Sequence, residues 1–273
     1  MLKNLSGKQG FLLGILSGAA IMAIGGYVIT TALLLNKQTP PLADRADNTQ
    51  QAPTVAEQNA PAASDLPTAI TKSARPTAEL FVMSYCPYGM DMEQNAFIPA
   101  YNLLKKNADI SVKFVSYAMH GKQEVEENTR QYCAQTQDTD KYFKYLNCFN
   151  GSGNSASCIQ QAGIDEKKLN RCIDGTNDKY AILDKYNDQT TWLNGRYPIY
   201  PIHEQLNNTY GVQGSPTLVI NGTQVTADRT ANGVISAICA AFDKAPAECS
   251  QFLSQSGNTQ PVATNKKAGA CGG

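Results

Sequence analysis

The chain has 273 residues, with 23 basic and 23 acidic side chains and a formal net charge of zero. This balance gives no electrostatic reason to expect a nucleic acid or another strongly charged partner. The length accommodates one domain of ordinary size with appendages, or two small domains.

Residues 11–35 form an apolar segment without a charged side chain (FLLGILSGAAIMAIGGYVITTALLL). A helix of this length spans about 37 Å, enough to cross a hydrocarbon core of about 30 Å. Lys3 and Lys8 precede it, with no acidic residue beside them. The positive-inside rule predicts a cytoplasmic N-terminus at 1–10, a transmembrane anchor at 11–35 and an extracytoplasmic remainder. The alternative is a cleaved signal peptide, whose apolar core is normally about 7–15 residues.

Residues 36–75 are rich in proline, alanine, glutamine, asparagine and aspartate and contain no aromatic residue. This composition predicts a flexible linker. Residues 251–273 have a similar character and are predicted to form a disordered tail, so the folded domain is expected at 76–250. All eight cysteines lie at or beyond Cys86. This distribution favours an oxidising compartment and a disulfide framework.

The first half of the domain is predicted to contain a strand, a helix and a second strand, at Ala78–Tyr85, Pro87–Lys106 and Asp109–Ala118. The apolar runs and their alternation with polar residues support the two strands. Proline suits the first turn of a helix, so Pro87 marks the start of this one. Pro99 is expected to kink or break the same helix.

The region from Glu124 to about Trp192 is predicted to be mainly helical. A short helix, a hairpin and an amphipathic helix follow at His203–Tyr210, Thr217–Ala227 and Thr230–Phe242. The order is β-α-β, a helical insert at about 122–200, and then α-β-β-α. The fold class is therefore predicted to be α/β, a thioredoxin-like fold with a helical insertion between its two halves, preceded by one N-terminal transmembrane helix.

The first apolar strand ends abruptly at Cys86, which is followed by Pro87, Tyr88 and Gly89. Thiol chemistry needs the thiolate, and a helix N-terminus lowers the pKa of a cysteine from its usual value of about 8.5. Cys86 is therefore the candidate catalytic residue, and the three residues after it are candidates for its support. Gly89 stands where a second cysteine would complete a Cys-x-x-Cys motif. The alternative is a buried cysteine that acts only as a small apolar side chain.

Ser215 and Pro216 lie just before the second buried strand. In a thiol site of this kind, a cis-proline loop faces the active cysteine and presents backbone groups to an extended substrate. Ser215-Pro216 is predicted to be this loop, with a cis bond, although only about 5–6% of such bonds are cis in general. With Cys86 as the single cysteine, attack on a substrate disulfide would stop at a mixed disulfide until another thiol arrives.

With these motifs the chain resembles the DsbA-like thiol oxidoreductases and, more closely, the gamma-interferon-inducible lysosomal thiol reductase (GILT) family. The signature of the latter is C-Q-H-G-x-x-E-C-x-x-N-x-x-x-x-C, and residues 118–133 match it at His120, Gly121, Glu124, Asn128 and Cys133. Its first two cysteines are replaced by Ala118 and Val125, and Gly89 departs from the Cys-x-x-Cys active site of the family. The resemblance covers about 78–225 and implies thiol–disulfide exchange.

The remaining cysteines suggest three disulfides, namely Cys133–Cys172, Cys148–Cys158 and Cys239–Cys249. The last two would close short loops and stabilise the fold by about 2–4 kcal/mol each. Cys86 and Cys271 are then left over. A flexible tail could bring Cys271 to Cys86, which makes Cys271 a candidate resolving thiol. A free or intermolecular Cys271 is the alternative.

Other candidate sites are weaker. His120 and His203 are the only histidines, and two distant histidines do not give metal-ligand spacing, so neither a metal nor a cofactor is predicted. Trp192 and the stretch 197–201 could line a peptide groove or pack beneath the insert.

Together these features predict a membrane-anchored extracytoplasmic thiol–disulfide oxidoreductase that acts on exported proteins through Cys86 in Cys-Pro-Tyr-Gly. Its expected partners are cysteine-containing exported proteins, the membrane, and a membrane redox partner or small thiol that resets the site, but no nucleic acid. The first alternative is a non-catalytic module that binds peptides or acts as a chaperone. The second is a structural surface domain in which Cys86 is inert.

Overall fold

The computed structural model describes residues 70–255 and 269–272. The predicted cytoplasmic segment 1–10, the anchor 11–35 and most of the linker 36–75 lie outside these ranges. Inside them, no helix has both the length and the apolar character needed to cross a bilayer.

The described residues form six strands, which are β1 Thr77–Val82, β2 Asp109–Phe114, β3 Gly214–Ser215, β4 Thr217–Ile220, β5 Thr223–Val225 and β6 Cys271–Gly272. Four of them make one sheet in the order β2-β1-β4-β5. Strand β1 pairs parallel with β2 and antiparallel with β4, and β4 pairs antiparallel with β5. Strands β3 and β6 form a separate antiparallel pair.

The same ranges contain ten α-helices, which are α1 Pro87–Met92, α2 Ile98–Leu104, α3 Lys122–Gln137, α4 Thr139–Ser152, α5 Ser155–Ala162, α6 Glu166–Tyr180, α7 Ile182–Asn187, α8 Glu204–Tyr210, α9 Ala231–Ala240 and α10 Ala247–Gln255. Helices α3 to α7 all lie within the predicted insert, between the β-α-β half and the α-β-β-α half. The predicted thioredoxin-like fold with a helical insertion is therefore confirmed by the order and pairing of its elements.

Strand β1 separates two apolar clusters because successive side chains of a strand point to opposite faces. Leu80 and Val82 belong to the large core beneath the helices. Phe81 and, just beyond the strand, Met83 belong to a smaller cluster that also contains Cys86. Cys86 thus lies on the second face, although it comes after the end of the strand.

The insert breaks into separate helices at residues that cap helix ends. Asp138, Asn154 and Asp165 each accept a hydrogen bond from a backbone N–H in the first turn of α4, α5 and α6 respectively. Gly153 and Gly163 end α4 and α5 in the left-handed conformation, which glycine adopts without steric cost. Local sequence chemistry therefore sets these boundaries.

Pro99 neither breaks nor ends the helix that follows Cys86. The chain instead makes a π-helical turn at Glu93–Phe97, with the Ile98 N–H donating to the Glu93 carbonyl, and then continues as α2. Proline cannot donate to the carbonyl of Asn95, and its ring crowds that position, so a wider turn lets the helix continue.

The domain extends beyond the expected boundaries of 76 and 250. At its start, Ser73 forms a β-bridge with Phe242, and Arg75 makes an ion pair of 2.8 Å with Asp109. The last residues of the predicted flexible linker are therefore attached to the domain.

At the other end, the predicted disordered tail contains two ordered pieces. Helix α10 runs to Gln255 because the Cys239–Cys249 disulfide ties it to α9 and Phe252 packs on the core. Strand β6 is the second piece, and its pairing with β3 holds it against the domain. Composition alone missed both pieces, since disulfides and strand pairing act over long separations.

Candidate functional site

Cys86 lies where the chain leaves β1 and enters α1. Its backbone is extended (φ −73°, ψ 116°), it occupies the N-cap position, and Pro87 begins the helix. The Met90 N–H donates to the Cys86 carbonyl at 2.9 Å, which forms the first helical hydrogen bond. The N–H groups before it have no partner inside a helix, so those of Tyr88 and Gly89 are available to a thiolate.

The Ser215-Pro216 peptide bond is cis, as the sequence predicted. The Ser215 carbonyl oxygen lies 3.5 Å from Cys86 Sγ, so the two motifs meet although 129 residues separate them. The fully buried Ser215 hydroxyl also accepts a hydrogen bond of 3.0 Å from the Met83 N–H. The proline loop and the cysteine loop are thus tied together at the sheet end.

Gly89 packs directly against the Ser215 hydroxyl. A β-carbon at Gly89 would lie 2.7 Å from Ser215 Oγ and 3.5 Å from Cys86 Cβ. The first distance is shorter than a van der Waals contact, so a cysteine at this position would displace the hydroxyl from its hydrogen bond. The serine therefore occupies the space where the second thiol of a Cys-x-x-Cys motif would begin.

The structure brings a different thiol to the site. Cys271 forms a disulfide with Cys86, with a Cα–Cα distance of 6.0 Å and a sequence separation of 185. In strand β6, Cys271 is paired with Ser215, and Gly272 is paired with Gly214. A short tail strand therefore lies along the residues that precede the cis-proline.

Glycines let this tail strand approach the domain closely. A β-carbon at Gly269 would collide with the Tyr88 ring, and one at Gly272 would collide with the Tyr117 hydroxyl. Gly272 also has a φ of 82°, which favours glycine. The sequence did not predict the roles of Tyr117, Gly269 and Gly272, although the glycines around Cys271 are a signal of close packing.

Arg229 also contacts the tail, which the sequence did not predict. Its guanidinium donates to the Gly269 carbonyl and lies 5.7 Å from the centre of the Tyr88 ring. Several groups influence the pKa of Arg229, and burial, the largest influence, lowers it. The tail is thus held at one end by Arg229 and Tyr88 and at the other by β3.

The other six cysteines form the three pairs that were expected, two of them from their short spacing. These disulfides join α3 to α6, α4 to α5 and α9 to α10, through Cys133–Cys172, Cys148–Cys158 and Cys239–Cys249. No cysteine of the described ranges is free. Cys86–Cys271 is the disulfide that lies at the proline loop.

Comparison with known proteins finds similarity only to solved structures. No family model matches the chain, and no curated protein matches it. DsbA from Mycobacterium tuberculosis in its reduced form is 15% identical with a TM-score of 0.46, and the match covers 68% of this chain and 96% of that one. BdbD from Bacillus subtilis in its oxidised form is also 15% identical with a TM-score of 0.42, over 62% of this chain and 90% of that one.

A reduced disulfide bond oxidoreductase, DsbG from Mycobacterium tuberculosis, is a third similar structure. It is 15% identical with a TM-score of 0.46, and the match covers 68% of this chain and 92% of that one. These neighbours are DsbA-like proteins, and none of the three is described as GILT-like.

The signature residues at 118–133 hold the loop before Cys86. The buried Glu124 carboxylate pairs with His120 and accepts a hydrogen bond of 2.8 Å from the Met119 N–H. One turn further along α3, Asn128 Oδ1 accepts a hydrogen bond of 3.1 Å from the Ser84 N–H. The signature thus links the insert to the segment that carries the cysteine.

The two histidines lie in separate parts of the fold. His203 Nδ1 accepts a hydrogen bond of 3.1 Å from the Phe114 N–H, and burial, with a smaller effect of Lys113, lowers the pKa of His203 to about 3. It is therefore a neutral, half-buried residue. Within residues 70–255 and 269–272, no cluster of histidine, cysteine and acidic side chains could hold a metal ion.

Trp192 and Tyr197 have different environments. The Trp192 indole N–H donates to the carbonyls of Lys185 and Tyr186, so it packs at the end of the insert. Tyr197 instead lines a surface cavity that also borders Gly272.

Proposed function

We propose that the chain is a membrane-anchored, extracytoplasmic thiol–disulfide oxidoreductase in which Cys86 exchanges disulfides with cysteine-containing exported proteins. The observation that carries this proposal is the environment of Cys86. It lies at a helix start, faces the cis Ser215-Pro216 loop and is bonded to Cys271 from a distant part of the chain. A cysteine that served only as a small apolar side chain would need neither the loop nor the second sulfur.

In the reductive direction, the Cys86 thiolate attacks one sulfur of a client disulfide. The new bond joins that sulfur to Cys86 Sγ, and the other client sulfur leaves as a thiolate that takes up a proton. The Cys271 thiolate then attacks Cys86 Sγ, so the Cys86–Cys271 disulfide forms and the client sulfur leaves. The client gains two electrons and two protons, and the protein loses them.

The reverse sequence oxidises a client dithiol and leaves the protein with two thiols. Each direction needs an external reagent to reset the site, which is a thiol or dithiol for client reduction and a disulfide oxidant for client oxidation. The segment 11–35 would hold the site at the membrane surface, where exported chains emerge and a membrane redox partner could reach it.

The arrangement of Gly89 and Ser215 supports Cys271 as the resolving thiol. Cys-Pro-Tyr-Gly provides a single cysteine at the helix, and the serine hydroxyl fills the place next to it. Cys86 is fully buried while the tail is seated, so the tail has to shift before a client sulfur can reach Cys86 Sγ.

The experiment that tests this proposal is mixed-disulfide trapping. The reduced full-length protein in detergent is mixed with a peptide disulfide at about pH 6, where an ordinary thiol reacts slowly, and the products are mapped by mass spectrometry. The Cys271→Ser variant should accumulate a peptide mixed disulfide on Cys86, whereas the wild-type protein should release the peptide and form Cys86–Cys271. The Cys86→Ser variant should not react.

A variant that lacks both Cys239 and Cys249 is the matched control, since it loses one disulfide outside the site and should behave like the wild-type protein. The pairing of β6 with β3 also favours a second candidate function, in which the proline loop binds extended peptides without turnover. If Cys86 of the Cys271→Ser variant reacts only after unfolding, this non-catalytic function replaces the catalytic one.

A further inference from the structure

Taking the Gly269–Gly272 segment as the register of a bound extended client, we infer that the adjacent cavity selects the client by the residues after its cysteine. The favoured client is an extended segment in which glycine and then a large apolar or aromatic residue follow the cysteine. This inference rests on the proposed function, because it identifies the substrate class of the same site.

Pairing of the tail with β3 defines a backbone register. Strand β6 runs antiparallel to β3, with Cys271 opposite Ser215 and Gly272 opposite Gly214. Pairing of this kind uses main-chain groups, so a peptide of another sequence can form it equally well. A client in the same register would place its cysteine opposite Ser215 and its sulfur at Cys86.

The site selects the client residue that directly follows the cysteine. Gly272 has a φ of 82°, and a β-carbon there would collide with the Tyr117 hydroxyl. Tyr117 is 9% exposed and its hydroxyl donates to the Gln213 carbonyl at 2.6 Å, so it cannot easily give way. A client therefore fits best with glycine at this position.

Selection two residues before the cysteine is weaker. A β-carbon at Gly269 would collide with the Tyr88 ring. Tyr88 is 44% exposed, however, so its ring can rotate into solvent. The site should therefore tolerate a side chain before the cysteine better than directly after it.

A cavity of about 550 Å³ begins at Gly272. Its apolar lining includes Tyr117, Met119, Leu193, Tyr197 and Val212. A volume of this size accommodates an aromatic side chain, and ligand sites of about 300–1,000 Å³ are usually lined in this way. The tail contributes no side chain to this cavity, because the tail residue that borders it is Gly272.

Exposed apolar residues support the same assignment. Among the described residues, Tyr88 and Leu193 are the exposed large apolar side chains, at 44% and 41%. Tyr88 lies beside Gly269, and Leu193 lines the cavity at Gly272, so they flank the tail strand at its two ends. A client that covers both would bury more apolar surface than the glycine tail does, and this difference would favour exchange of the tail for the client.

The test measures how fast Cys86 reacts with activated peptides. Full-length Cys271→Ser protein, reduced and in detergent, is mixed with peptides whose cysteine carries a coloured aryl thiol as a mixed disulfide. Attack by Cys86 on the peptide sulfur releases the aryl thiol. The three peptides are Ala-Gly-Ala-Cys-Gly-Phe-Ser, Ala-Gly-Ala-Cys-Gly-Gly-Ser and Ala-Gly-Ala-Cys-Ala-Phe-Ser.

The Cys-Gly-Phe peptide should react about tenfold faster than the Cys-Gly-Gly peptide, because its ring enters the cavity. It should also react about tenfold faster than the Cys-Ala-Phe peptide, whose methyl group meets Tyr117. Leu193→Ala should reduce the first ratio. Leu103→Ala, a matched truncation on helix α2 outside the cavity, should leave it unchanged.

A small symmetrical aryl disulfide separates this inference from the proposed function. If Cys86 reacts with the small disulfide but all three peptides react at the same rate, the client register is wrong and the proposed function stands. If Cys86 reacts with neither the small disulfide nor the peptides, the proposed function itself fails.

Discussion

At the scale of single residues, Gly89 and Ser215 decide where the second thiol of the site can lie. The serine hydroxyl takes the space of a β-carbon at Gly89 and satisfies the buried Met83 N–H. A side chain at Gly89 would push the hydroxyl away and leave that N–H without a partner, at a cost of about 1–3 kcal/mol. The two residues therefore act as a unit.

This coupling predicts that the sign of a Gly89→Ala effect depends on Ser215. In the wild-type background, we expect Gly89→Ala to lower the free energy of unfolding by about 1–2 kcal/mol, since the lost hydrogen bond outweighs the better helix propensity of alanine. In a Ser215→Ala background the β-carbon has room, and the same change should stabilise the protein by up to about 1 kcal/mol.

Urea unfolding of the oxidised wild-type protein, the two single variants and the double variant measures these four values and their coupling. Equal effects of Gly89→Ala in the two backgrounds would show that the hydroxyl does not occupy the β-carbon space.

At the scale of elements, buried polar contacts attach the insert to the first half of the domain. In the helix after Cys86, the buried Glu93 carboxyl accepts a hydrogen bond of 2.9 Å from Asn150 Nδ2 of α4. Burial, followed by the nearby charge of Glu127, raises the pKa of Glu93 to about 8, although the Asn150 hydrogen bond opposes this. Glu93 Oε1 and Asn150 Oδ1 are both buried acceptors without a donor. A protonated Glu93 carries an O–H donor, which the ionised carboxylate lacks.

A protonated Glu93 makes stability depend on pH. In the unfolded chain this carboxyl ionises near its ordinary value of 4.5, whereas in the folded chain it stays protonated up to about 8. The folded state thus binds more protons in this window, so the free energy of unfolding should fall as pH rises from about 4.5 to about 8. In a Glu93→Gln variant, the amide provides a donor without titrating.

We therefore expect the stability of Glu93→Gln relative to the wild-type protein to increase steadily across this window. Chemical unfolding at several pH values measures the difference, and the comparison cancels the other titrating groups. Two parallel curves would mean that Glu93 is ionised in the folded protein.

At the scale of the whole molecule, the site depends on parts of the chain that are far apart in sequence. Cys86 comes from the first half, Ser215 from the second half, and Cys271 from beyond the last helix of the domain. The Cys86–Cys271 separation of 185 residues spans most of the folded unit. The redox state of the Cys86–Cys271 pair therefore decides whether a covalent bond joins the tail to the domain.

The predicted anchor also belongs to this scale. We expect the full-length protein to sediment with membranes and to resist alkaline extraction, because an apolar segment of this length remains in the bilayer. A chain that begins at residue 70 should be recovered in the soluble fraction with the same reactivity at Cys86. A full-length product that is soluble and has lost its N-terminal mass would show a cleaved signal peptide instead.

The sequence alone determined the parts of this protein that depend on neighbouring residues. The Cys86-Pro87 junction and the capped helices of the insert follow from local preferences, because proline, glycine and short polar side chains act within a few residues. The cis form of Ser215-Pro216 was expected from the motif as a whole and not from a local preference, since only about 5–6% of such bonds are cis. Two disulfides of short span were also suggested by spacing. These signals were enough to predict the thioredoxin-like fold and the candidate nucleophile.

Only the tertiary structure decided how the site is completed. The contact of Ser215 with Gly89, the pairing of Cys271 with Cys86 and the crowding of Gly272 by Tyr117 join residues more than a hundred positions apart. No local preference encodes such contacts, since they arise when the sheet and the helices pack and bring distant loops to one edge. The tail illustrates the difference: its composition predicted disorder, whereas its glycines and its cysteine fit a surface that exists only after the domain has folded.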